Sequence, residues 1–257
     1  TDKSLGEISS FLCFSSQSLS CRGFRTHGSP FPYRREVRMS LSELWSLYGQ
    51  NYIDALLATW GMTLESFAIA MVLAVAVTVM RVSPLKPLRV FGDLYVQVFR
   101  NIPGIALLII VVYALPPLKV VLPYRTCVIV ATVLLGSAFG SENFMSGINT
   151  VGVGQVEAAR SLGMSFSRIL AKIVIPQALR SSVLPMTNLF IAVMLTTALG
   201  SQVPLKPQEL TGVVSYINTR SLGGVAAFFI SALGYLGTAF VVSHIGNYID
   251  KKVRILR

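Results

Sequence analysis

"GQVEAARSLGMSFSRILAKIVIP", residues 154–176, places Glu157, Arg160, Arg168 and Lys172 in the middle of a chain that is otherwise strongly apolar. Of 257 residues, 53% are hydrophobic and only 13% charged, and the mean hydropathy of +0.65 exceeds what a soluble domain needs for its core. A charged island between apolar runs points to a polytopic membrane protein with a substantial connection outside the bilayer.

Crossing about 30 Å of hydrocarbon takes roughly 20 helical residues. Five stretches qualify: about 60–81 ("WGMTLESFAIAMVLAVAVTVM" and onward), 101–118 ("NIPGIALLIIVVYALPPL"), 126–146, 182–203 and 223–248. The expected fold is therefore all-α, with five transmembrane helices. The net charge of +11 would suggest nucleic acid in a soluble protein, but the bases sort by topology instead. Arg81, Lys86, Arg89 and Arg100 lie between spans one and two; Arg160, Arg168, Lys172 and Arg180 between three and four; Lys251, Lys252, Arg254 and Arg257 after five. The opposite connections carry only Lys119, Arg125, Lys206 and Arg220, and residues 40–59 carry no Lys or Arg. The positive-inside rule puts the island (a loop over about 150–180) and the C-terminus in the cytoplasm, with the residues before the first span outside.

Residues 1–38 break that pattern with Lys3, Arg22, Arg25, Arg34, Arg35 and Arg38 among eight serines. They are expected to be a disordered extension or a start assigned too early, since Met39 opens an ordinary-looking chain; "SSFLCFSSQSL" is too short and serine-rich for a signal-peptide core. The transmembrane domain is expected over the remainder, 39–257. Cys13, Cys21 and Cys127 lack metal-type spacing, and His27 and His244 are isolated, so no metal site is expected. There is no G-x-x-x-x-G-K-[ST] loop for phosphates, no nucleophile elbow, and no basic patch interleaved with aromatics for nucleic acid.

Within the island, residues 153–162 suit a helix about 15 Å long, too short to be stable alone in water. Ala158 and Ala159 strip bulk from a patch beside Glu157, so a partner surface can approach. Gly163 suits a helix end at positive φ. A second short segment, 165–175, follows, and Pro176 can open the next helix.

The spacing Glu157-Ala158-Ala159, three residues, Gly163, nine residues, Ile173, one residue, Ile175, Pro176 resembles the EAA signature of ABC importer permeases, with Ile175 where the pattern has Leu. The likeness extends over roughly residues 55–250 to the polar amino-acid permeases of the histidine, glutamine and glutamate group. It includes "FRNIPG" with Arg100, Asn101 and Pro103, Glu142 near the end of span three, Ser146 to Gly163, "PQALR", and Pro185 to Asn188. "MRVSPLKPLR" is similar to actinobacterial glutamate-type members, whereas "LTTAL" puts Leu195 and Ala198 where the family usually has Lys and Ser.

The resemblance implies a type I ABC importer permease fold. It implies a coupling loop in which Glu157, Ala158, Ala159, Arg160, Leu162, Gly163, Ile173 and Pro176 meet a separate ATP-binding subunit, which would hold ATP and Mg. It also implies a second permease subunit and an extracytoplasmic solute-binding protein. No cofactor is expected in this chain. Glu65, Arg100, Glu142 and Asn188 are candidates for the translocation pathway. Glu65 and Glu142 equally suit water-reachable span ends, and Asn188 could simply bond a neighbouring helix. "GSAFG", 136–140, fits either close packing within the chain or a dimer seam. The other functional class left open is an ion-coupled secondary transporter or channel, disfavoured by charge-free span centres.

Overall fold

The computed structural model describes residues 40–220 and 224–253, all in helices or short connections; the expected extension over 1–38 lies outside the described residues. α1 spans Leu41–Val82. It starts on a capping box, with the Glu43 N–H donating to Ser40 Oγ at 3.3 Å and the Ser40 N–H donating to Glu43 Oε2 at 2.9 Å, and it ends where Ser83, ahead of Pro84, turns extended.

The structure differs from the sequence expectation in two elements. The first span is expected over 60–81 with residues 40–59 as an outer connection, but one helix runs through both, about 63 Å long at 1.5 Å per residue. Its opening half is held by packing: Leu44, Tyr52 and Ala55 are buried against Leu210, Val213, Ile217 and Ala227. The second span is expected over 101–118 following a loop of bases. Residues 86–101 are instead helical (α2, Lys86–Asn101) and join Gly104–Leu118 across a 102° bend. Pro103 explains the break, because it lacks an N–H and forces Ile102 into an extended conformation. Beyond it, α3 (Gly104–Ile109) continues through a π-helical turn over Ile110–Ala114 and a 3₁₀ turn at Pro116–Leu118.

α4 (Tyr124–Asn149) is the central helix. A Cβ at Gly136 would lie 3.2 Å from Ala70 Cβ, and one at Gly140 would lie 2.8 Å from Ala74 Cβ. The 136–140 stretch is thus a close-approach seam inside one chain, with α1 and α4 running parallel. α5 (Val153–Ser161), α6 (Phe166–Ile169, continued by a π-helical turn over Leu170–Val174) and α7 (Ile175–Ser181) form the charged island. α8 (Val183–Thr196, then 3₁₀ to Gln202) returns antiparallel to α4, with Val193 facing Gly136 and Leu189 facing Gly140.

α9 (Leu210–Arg220) leads to α10 (Gly224–Val253). α10 starts beside Tyr52, whose hydroxyl donates to the Ala227 carbonyl at 2.9 Å, and later packs Gly246 on Thr187 near the start of α8. Among the described residues four helices, 41–82, 124–149, 183–202 and 224–253, are individually long and apolar enough to cross a membrane, with a fifth span if the bent pair counts as one. One end of the bundle gathers the end of α1, the start of α2, the end of α4, the α5–α7 hairpin and the end of α10, and with them Arg81, Lys86, Arg89, Lys251 and Lys252.

Candidate functional site

The hairpin is a small folded unit. α5 ends in a Schellman turn: the Met164 N–H donates to Ala159 O at 3.1 Å, and the Gly163 N–H to Arg160 O at 2.9 Å, with Gly163 at φ +75°. A side chain there would be strained, so the glycine sets the angle between α5 and α6. Val151, Ala159, Ile169 and Val174 form its buried core, with Ile148, Val156, Met164, Leu170 and Ile173 packed around them. Gln177 of α7 donates to Gln155 Oε1 of α5 at 2.7 Å, closing the unit.

The two alanines divide. Ala159 is 3% exposed and belongs to the core, so the patch of two alanines read from sequence is not one surface; Ala158 alone faces outward, beside exposed Glu157, Arg160 and Leu162. Pro176 and Ile175 are exposed, with Pro176 in the first turn of α7, and Ile173 is half-buried. Glu157 and Arg160 make no ion pair among the described residues, while the apolar side chains of Leu162 and Phe166 stand in the open beside them. A surface with free charge around exposed apolar groups is suited to docking.

Of the four pathway candidates, the structure unites two. Arg100 Nη1 lies 3.4 Å from Glu142 Oε2, and its guanidinium sits 5.5 Å from the centre of the Phe139 ring. The clasp is completed by Arg81, counted from sequence only as a topological base. Arg81 Nη1 reaches the same Glu142 oxygen at 3.1 Å and Ser141 Oγ at 3.3 Å, and its Nε reaches Asp93 at 2.8 Å. Three helices, α1, α2 and α4, are tied by this one side chain. Glu65 is elsewhere, paired with Arg125 at 2.6 Å. Asn188 is exposed on α8 and joins neither group.

Arg100 also borders a cavity of about 720 Å³ at the α2–α3 break, lined with Gly104, Phe139, Thr196, Ala198 and Gln202. Leu195, in the position noted as departing from the family pattern, lines it too. Among the described residues no group of His, Cys, Asp or Glu could hold a metal.

Sequence reasoning missed Glu209. It is fully buried, and its carboxylate accepts the N–H groups of Thr211 and Gly212, both at 2.6 Å, and the Tyr235 hydroxyl at 2.9 Å. Its carbonyl accepts the Val213 N–H, so Glu209 is the N-cap of α9. Burial pushes the carboxyl above its usual range, against the pull of these donors. Glutamate is an uncommon N-cap, which is why local sequence gave no signal.

Residues 66–255 match the family model described as the inner membrane component of binding-protein-dependent transport systems. The chain belongs to this family. Among relatives of the permease, the glutamate transport system permease protein GluC of Corynebacterium efficiens is 33% identical over 208 residues, covering 76% of this chain and 91% of its own. The L-cystine transport system permease protein TcyB of Bacillus subtilis is 31% identical over 215 residues, covering 81% and 91%. A solved amino acid ABC transporter crystallised with histidines superposes with a TM-score of 0.78 at 24% identity, over 83% of this chain and 99% of its own. A chain of the inward-facing MetNI methionine ABC transporter does so at 0.64 and 18%, over 84% and 100%. These two show that the fold is that of type I ABC permeases. The permease is a multi-pass membrane component with no ATPase of its own, and the family implies an ATP-binding subunit and a solute-binding protein as partners. Nothing in the comparisons favours a self-powered secondary transporter or channel.

Proposed function

We propose that this permease imports polar amino acids, glutamate or a close chemical relative, and that the α5–α7 hairpin is the lever through which a separate ATP-binding subunit drives it. The carrying observation is the hairpin itself: a unit with its own core, joined to the bundle through α7 and presenting, with exposed Leu162, Glu157 and Arg160 that make no ion pair among the described residues. In this mechanism ATP and Mg bind to the partner, and its closure pushes on Glu157, Ala158, Arg160 and Leu162. Gly163 and the core around Ala159 and Ile173 transmit the push, and Pro176 begins the helix that carries it into α8. The substrate class follows from the glutamate and cystine relatives and from the cationic Arg100 at the cavity. The hairpin end faces the cytoplasm by its bases, which puts the start of α1 outside and the C-terminus inside. A second permease subunit completes the pore.

Uptake of labelled amino acids and ATP hydrolysis, measured together in proteoliposomes carrying the whole assembly, test the lever. Glu157→Lys and Gly163→Arg should abolish nucleotide-driven uptake while the membrane part stays folded by size-exclusion profile. Unchanged uptake in both variants would overturn the docking role.

A further inference from the structure

α2 has three faces rather than two. Gly92 and Val96 are buried and Tyr95 and Phe99 half-buried against α1 and α4. Phe91, Leu94 and Val98 form an exposed apolar stripe. Lys86, Arg89, Asp93, Gln97 and Arg100, all exposed, fall on a third stripe, within an arc of about 80° at 3.6 residues per turn. Hydrocarbon can cover the apolar stripe but not the polar one, because charged side chains at membrane depth turn to a water-filled cavity or the bundle interior. The polar stripe begins at the hairpin end and runs about 21 Å along the helix axis to Arg100, whose guanidinium meets Arg81 at Glu142 and which borders the 720 Å³ cavity.

The charge along this route is unequal. Arg81 spans Asp93 and Glu142, and Arg100 shares Glu142. Lys86 and Arg89 make no ion pair among the described residues. Four cations, Arg81, Lys86, Arg89 and Arg100, therefore stand against two acids, Asp93 and Glu142.

We infer that the polar stripe of α2 is one wall of the aqueous route between the cavity and the hairpin end, and that its excess positive charge favours anionic solutes, with Gln97 facing the solute midway. The inference rests on the permease function proposed above and narrows its substrate class to solutes of net negative charge.

Thiol labelling tests it in inside-out membrane vesicles holding the full chain with its partners, in a background where Cys13, Cys21 and Cys127 are replaced by serine. Gln97→Cys and Arg89→Cys should react with the impermeant ethylsulfonate and ethyltrimethylammonium methanethiosulfonates, whereas Leu94→Cys and Val98→Cys should react with neither. Labelling after denaturation checks that each variant is present. Lys86 and Arg89, about 16 and 12 Å from Gln97 along the helix and screened by physiological salt, should raise the anionic-to-cationic rate ratio at Gln97→Cys about 1.5-fold over that of a small thiol in solution. Adding Lys86→Gln and Arg89→Gln should return it to the solution value. Labelling of Leu94→Cys and Val98→Cys in place of the stripe positions refutes the aqueous wall, and a ratio indifferent to Lys86 and Arg89 refutes the anion preference. Labelling needs no nucleotide, so either failure leaves the hairpin lever standing, and an unaffected Glu157→Lys variant leaves this wall standing.

Discussion

Glu209→Ala removes the acceptor of two first-turn N–H groups of α9, each bonded at 2.6 Å, and of the Tyr235 hydroxyl. Tyr235 keeps Thr211 Oγ1 at 3.3 Å as an alternative partner, so the loss concentrates on the two backbone donors. A buried donor left unmatched costs about 1–3 kcal/mol, which for two gives about 2–6 kcal/mol. An adjoining cavity of about 240 Å³, bordered by Glu209, Gly212 and Tyr216, has room for water, which confines the cost to the lower part, about 2–4 kcal/mol. The consequence reaches further than one helix end, because α9 is also pinned to α1 by the Leu210 N–H on Thr59 Oγ1 at 3.2 Å and to α10 by Ser231 on the Leu210 carbonyl at 2.7 Å. At about 2–4 °C per kcal/mol for a protein of this size, the detergent-solubilised assembly should lose about 5–15 °C in a fluorescence-detected size-exclusion melting assay. Glu209→Gln, which keeps one acceptor oxygen, should fall between. Glu43→Ala, an exposed cap on α1, should lose no more than about 3 °C. A Glu209→Ala melting curve that overlays the parent would refute the idea that this carboxylate holds α9.

The raised Glu209 pKa makes a pH prediction with a definite sign. The folded protein holds this proton more tightly than the unfolded chain, so the contribution is complete below the ordinary value of 4.5 and is lost as pH rises through the folded value; melting temperature should decline over that window, and Glu209→Gln should remove the decline. Gly140→Val puts methyl groups where Ala74 is already 2.8 Å from an added Cβ, and should destabilise by about 1–3 kcal/mol; Gly237→Ala, with nothing within 4 Å, should melt like the parent by the same assay. A chain beginning at Met39 should reach the membrane and take up substrate at the parental rate, and failure in either would give residues 1–38 a role. Arg81→Gln should leave Asp93 and Glu142 without their shared cation, so Arg100 bonds Glu142 alone; uptake should then fall several-fold with the melting temperature lowered by only a few degrees, since both acids reach water.

Composition, charge placement and one spaced motif determined that this chain crosses a membrane several times and which charged segment is proposed as its lever. Each depends on local properties: hydropathy over about 20 residues, and a glycine whose positive φ is set by its own turn, as Gly163 shows. What lay beyond them was decided by contacts between residues distant in the chain. Hydropathy marks where lipid is tolerated rather than where a helix stops, so it missed that α1 begins at Leu41, held by α9 and α10. It also could not show that the bases of 86–100 climb a helix instead of filling a loop. The inward turn of Ala159 beside outward Ala158, the Arg81 clasp and the buried Glu209 cap all join segments separated in sequence. Pairing of that kind leaves no periodic trace, because a carboxylate's partner is fixed by packing in three dimensions and not by its neighbours along the chain.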